Sequence, residues 1–286
     1  MPNFPIIDAH LHLWDPSRIA MAWLKPGSSL AQAHAVEDYT RDCGAQPVEA
    51  MVFVECFVDE GEFVHEVAFV EEQRRRDPRI KSIVARAAVE NGRRVLDDLT
   101  PLKERHPAIK GVRRLIELDP DPQVCLKPGF IEGVRALAEM DLSFDVNVHH
   151  SQMAEAVDFA RQVGDVRLIL DHCGKPGIKA GLIEPWRSHI RALAELPNVF
   201  CKLSDLPVEA DRQSWSAAQL RPYIDAVVDA FGFDRLIYGG DWPVCLQATD
   251  LRRWIGVLDE AFRGCSADEM RKFYRDNAVA FYRMES

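Results

Sequence analysis

Short apolar runs alternate with amphipathic segments along almost the whole chain, and this rhythm restricts the fold more than any single residue does. The runs cover a stretch from near residue 4 to residue 14, then residues 50–55, 80–89, 109–116, 142–148, 167–171, 198–203 and 235–239. Residues 37–43, 60–76, 93–105, 130–140, 152–163, 185–196, 217–231, 251–262 and 267–282 instead read as helices. In the segment 60–76, for example, Phe63, Val67 and Val70 share one face. Arg74, Arg75 and Arg76 complement the negative end of its dipole, and Pro78 stops it. Eight strand–helix units without a Gly-x-Gly-x-x-Gly turn predict a closed (β/α)8 TIM barrel rather than a doubly wound sheet. A barrel of this kind commonly uses about this length of chain, so residues 1–286 are expected to form a single domain.

Composition removes several function classes. A net charge of −10 argues against a nucleic-acid partner, which requires clustered excess Lys and Arg. No apolar run approaches the roughly 18 residues needed to cross a membrane. Asp8 and His10 stand where an export signal would carry a basic stretch and a longer apolar one. The seven cysteines are odd in number and include no Cys-x-x-Cys pair, so they read as reduced thiols in a cytoplasmic protein.

In such barrels the site lies at the C-terminal ends of the strands. Those positions hold His10 and His12 after the first run, Glu55 after the second, and Arg113 and Arg114 in the fourth. His149 and His150 follow the fifth, His172 the sixth; Lys202 and Ser204 lie in the seventh, and Asp241 follows the eighth. Five of the nine histidines therefore fall at strand ends, whereas His34, His65, His106 and His189 read as ordinary surface residues. His10 and His12, at i and i+2 of a strand, project to one side and converge on a metal ion or a polarised oxygen, or else merely cap a strand. Alternation along the fifth run puts Asp145, Asn147 and His149 on one face, which favours His149 over His150 as the site residue. The irregular region 15–34, rich in Pro, Gly and Ser, is long enough to cover a site.

These residues sit in motifs that carry a resemblance. Ile-Asp-Ala-His-Leu-His-Leu-Trp-Asp-Pro occupies 7–16, Lys-Gly-Val-Arg 110–113, Leu-Asp-His-Cys-Gly-Lys-Pro 170–176, Lys-Leu-Ser 202–204, and Tyr-Gly-Gly-Asp-Trp-Pro 238–243, with Asp-Asn-Ala-Val-Ala-Phe-Tyr near the end. In this order they resemble the amidohydrolase superfamily, in the branch containing L-fuconolactonase- and L-rhamnonolactonase-like enzymes and 2-pyrone-4,6-dicarboxylate lactonase. The resemblance implies a centre of His10, His12, His172 and Asp241 holding one divalent metal ion, with zinc suited to that donor set. Catalysis without metal is the alternative, because some lactonases of this branch need none. Dinuclear relatives carry a carboxylated lysine where Arg113 stands, which argues against two metals. Relatives often show Arg-Pro-Glu where this chain has His149-His150-Ser151.

The activity so implied is hydrolysis of a small sugar-acid lactone such as L-fuconolactone, with Asp241 as general base and His172 and Arg113 as further catalytic groups. Glu55, His149, Trp14, Trp23, Lys202 and Trp242 are the expected substrate contacts, with packing as the competing role for the tryptophans and Lys202. Two other classes stay open. A decarboxylase, hydratase or lactonase acting on an aromatic-derived carboxylate would need the cations Arg113, Arg114 and Lys175. A non-catalytic binding barrel is the other.

Overall fold

The computed structural model describes residues 2–284, so the bounds 1 and 286 of the expected domain lie outside the described residues. Eight strands form one parallel sheet in ring order: β1 (Ile6–Leu11), β2 (Val48–Val54), β3 (Ile80–Arg86), β4 (Ile109–Arg113), β5 (Ser143–Val146), β6 (Leu168–Leu170), β7 (Val199–Leu203) and β8 (Leu236–Tyr238). The seam between β8 and β1 is closed by Asp241 N donating to His10 O at 2.9 Å and His12 N donating to Trp242 O at 2.8 Å. The expected barrel is the observed one, with every strand at its expected place.

Alternation along the strands divides the interior from the shell. Met51 and Phe53 of β2, Ile83 and Ala85 of β3, and Leu168 and Leu170 of β6 pack outward against the helices. Ile7, Ala9, Ala50, Val52, Val54, Val84, Ile169 and Ile237 face inward. The lower opening of this interior is closed by Ala278, Phe281 and Tyr282 of the last helix, Asn277–Tyr282. Burial of these side chains, at about 25 cal/mol per Å² of apolar surface, is the main force holding shell to barrel.

The inward positions of β4 to β7 nearer the mouth are charged instead: Arg113, Asp145, Asp171 (just past β6) and Lys202 are all buried. Lys202 Nζ donates to Asp145 Oδ2 at 2.5 Å and lies 3.0 Å from Asp171 Oδ1. Arg113 donates from Nε to Glu55 Oε1 at 2.7 Å and from Nη1 to Asp171 Oδ2 at 3.1 Å. The barrel thus has an apolar floor, a neutralised ionic layer above it, and the candidate site on top.

Candidate active site

A register shift against β2 between Asp8 and Leu11 breaks the alternation of β1, so that after inward Ile7 and Ala9 both His10 and His12 turn into the mouth. Their Nε2 atoms lie 3.1 Å apart. Asp8 faces the other way and holds the turn by accepting from His10 N at 3.0 Å, Tyr39 Oη at 2.9 Å and Gly240 N at 2.8 Å. Burial pushes its carboxyl up to about 6. Gly240 is required there, because a Cβ at that position would stand 2.3 Å from Asp8 Oδ2.

At the ends of the sixth and eighth strands the backbone turns sharply. His172 and Asp241 adopt left-handed conformations, φ 51° and 53°, which re-aim their side chains across the barrel. Asp241 Oδ1 then lies 3.5 Å from His10 Nε2, 3.3 Å from His12 Nε2 and 4.0 Å from His172 Nε2. His172 Nδ1 is 2.9 Å from Ser204 Oγ, and His12 Nδ1 donates to Val54 O at 2.8 Å. The second contact leaves Nε2 as the nitrogen of His12 that faces the carboxylate.

Burial lowers His172 to about 4 and carries His10 well below its ordinary range, so both rings are neutral near pH 7. Burial alone would raise Asp241, but attraction to His172, His12 and His10 in their protonated forms holds it well below the usual carboxylate range. Asp241 Oδ1 is buried without a hydrogen-bond donor among the described residues. An ionised oxygen and three imidazole nitrogens therefore converge, a donor set that a divalent cation satisfies. His10, His12 and Asp241 present ligand atoms all within 4.8 Å of one another, as do His172, Asp205 and Asp241.

Above this cluster lies a cavity of about 170 Å³ that His12, His172, Asp241, Arg113, Trp14 and Trp23 help to line. The indole nitrogens of the two tryptophans are tied to loop carbonyls: Trp14 to Leu30 O and Gln32 O, each at 3.1 Å, and Trp23 to Cys56 O at 2.9 Å. Their rings pack edge to face at 5.6 Å. The region 15–34 does form part of the roof, through Trp23.

Four expected substrate contacts stand elsewhere. Glu55 is fully buried beneath the cavity, accepting from Arg113 Nε and, at 2.8 Å, from Phe57 N. Lys202 is fully buried in the ionic layer, 3.2 Å from His10 Nδ1. Trp242 packs outside the cavity against His34 and Tyr39, its indole donating to Asp42 Oδ2 at 2.9 Å. His149 lies beyond the end of β5, which stops at Val146, so strand alternation no longer governs its direction. It and His150 both line a separate cavity of about 700 Å³ beside the first. His34, expected at the surface, is buried between Trp14 and Trp242.

Sequence reasoning put Asp145 on the face toward the barrel mouth but gave it no role, and it missed Asp171, although charged residues at inward strand positions opposite Lys202 and Arg113 were a readable signal. It also passed over Phe57, Glu117 and Val244, which line the cavity from loops whose positions no periodicity specifies.

The amidohydrolase family model matches residues 7–284. This chain belongs to the amidohydrolase family. An L-fucono-1,5-lactonase of Burkholderia multivorans is 31% identical over 260 residues, covering 85% of this chain and 83% of that protein. Another, from Burkholderia ambifaria, is 33% identical over 185 residues, 63% of each. A crystal structure of a Burkholderia multivorans amidohydrolase with bound zinc superposes with a TM-score of 0.88 at 27% identity, covering 99% of this chain and all of that one. This amidohydrolase thus shares its barrel with a zinc-bound relative, and its own donor set suits a cation of that kind.

Proposed function

We propose that this amidohydrolase hydrolyses a neutral sugar-acid lactone, L-fuconolactone or a stereochemically similar aldonolactone. The observation that carries this reading is a cavity over His12, His172 and Asp241 whose cations are already neutralised. Arg113 is held by Glu55 and Asp171, and Lys175 by Glu117 at 2.7 Å. Arg114 is turned away to Glu90 and Asp119. A dicarboxylate or aromatic acid would need cations free to receive it, which counts against those substrates. The aromatic wall of Trp14 and Trp23 suits the face of a sugar ring, and the L-fucono-1,5-lactonases at 31 and 33% identity support the same substrate class.

His10, His12, His172 and Asp241 would hold one divalent ion, zinc fitting the three-imidazole, one-carboxylate set. Such an ion supplies Lewis-acid polarisation of the ester carbonyl. Asp241, ionised and facing the cavity, takes a proton from the attacking water and returns it to the ring oxygen as the ester bond breaks. Arg113, fixed by Glu55 and Asp171, has Nη1 3.4 Å from His10 Nε2 and would hold that ring in place rather than receive negative charge itself. Trp14 and Trp23 hold the ring and exclude bulk water. Among the described residues no helix is long and apolar enough to cross a membrane, and the seven cysteines are unpaired, which supports a reducing cytoplasmic setting.

A panel of aldonolactones and 2-pyrone-4,6-dicarboxylate, followed with a pH indicator, tests the reading. Turnover of neutral sugar lactones in preference to the dicarboxylate is expected; turnover of the dicarboxylate alone would refute it.

A further inference from the structure

The walls of the active-site cavity differ in chemistry according to the strands that build them. Trp14, Trp23, Cys56, Phe57 and Val244 come from the loops after β1, β2 and β8, which are neighbours in the ring. Asn147, Glu117 and Lys175 come from the loops after β5, β4 and β6, on the other side. The loop after β4 also brings Leu115 and Leu118, so Asn147, Glu117 and Lys175 form a polar patch within a mixed flank that faces an apolar one.

Asn147 is 2% exposed, and its Oδ1 is buried without a hydrogen-bond partner among the described residues. An unsatisfied buried amide is costly, and native structures leave few of them. This one borders the cavity, where an amide offers an acceptor and two donors to a ligand. Its backbone is fixed: Asn147 O accepts from Glu117 N at 3.2 Å, tying the loop after β4 to β5. Glu117 in turn holds Lys175 Nζ at 2.7 Å, and Lys175 N donates to His172 O at 2.9 Å. The polar patch is thus a connected unit anchored to the catalytic cluster.

We propose that Asn147, supported by the Glu117–Lys175 pair, is a specificity-determining residue that reads a ring hydroxyl of the lactone, so that this patch selects among aldonolactones by configuration. The inference rests on the sugar-lactone reading above. Asn147 does not touch the breaking bond; it discriminates by leaving its amide unpaired when the hydroxyl is missing or inverted.

The test measures kcat/KM of wild type, Asn147→Ala and Asn147→Ser on the preferred lactone and on analogues that each lack or invert one hydroxyl, with melting temperatures taken alongside. Wild type should lose about tenfold or more on one analogue, the scale of a hydrogen bond withdrawn from a buried group. Asn147→Ala should lose a similar factor on the preferred lactone and nothing further on that analogue. Asn147→Ser, which keeps a donor and an acceptor, should recover part of the difference. If both variants lose activity equally on every lactone, or on none, the assignment of Asn147 is overturned while the sugar-lactone reading stands. If wild type hydrolyses no neutral sugar lactone, both fall.

Discussion

His12 Nε2 stands 3.3 Å from Asp241 Oδ1, while the other nitrogen of the same ring donates to Val54 O at 2.8 Å. With Nδ1–H committed to the barrel wall, Nε2 is the ring nitrogen left to face the carboxylate oxygen, and a cation between the two would be attracted to both.

Protein purified without chelator should therefore carry about one equivalent of divalent transition metal, since one shared donor set serves one ion. His12→Gln should lower that content and the affinity measured by competition with a chromogenic chelator. Two equivalents bound at the barrel mouth would contradict the single centre. Full activity in stringently metal-free protein would move the mechanism to one run by Asp241 and the imidazoles alone.

Asp241→Asn preserves the shape of the side chain and removes its ability to accept a proton. Its kcat should fall by about 10² to 10⁴, the usual contribution of general acid–base catalysis, with little loss of thermal stability. If Asp241 only terminated the strand, the variant would melt earlier and keep its turnover per folded molecule. Both quantities should be read on one preparation reconstituted with metal, so that a weakened centre is not mistaken for a lost base.

Glu66 is buried with Oε1 accepting from Cys56 N at 2.7 Å, and burial together with the charge of Glu55 pushes its carboxyl up to about 8. The folded protein keeps this proton up to about pH 8, whereas an exposed glutamate releases it near 4.5. The folded state therefore binds more protons across that window. Stability from this group is complete below about 4.5 and falls as pH rises through 8. Glu66→Gln mimics the protonated form and should flatten that part of the melting-temperature profile between pH 5 and 9. An unchanged slope in the glutamine variant would show that Glu66 is not the group responsible.

Strand periodicity by itself was enough to determine the eight strands, their helices and the closed barrel, because a buried strand and an amphipathic helix each write their period into consecutive residues. It also marked His10, His12, His172 and Asp241 as strand-end groups, which the structure gathers around one oxygen. What it could not determine is which inward polar residue would remain free. Lys202 lies 192 residues from His10, yet touches it at 3.2 Å, and it is neutralised by Asp145 from a third strand. Glu55 is consumed by Arg113 in the same way, 58 residues away in the chain. Alternation assigns a side chain to a face, but the partner across the barrel is set by closure of the ring, and a buried charge goes to that partner because leaving it unpaired is far more costly. The same limit explains His149: past Val146 the pleat ends, and the turn that follows carries both histidines into the neighbouring cavity. Only the tertiary structure separates the residues that hold the barrel from those that face its cavity, since pairing across the ring depends on distances that local sequence does not encode.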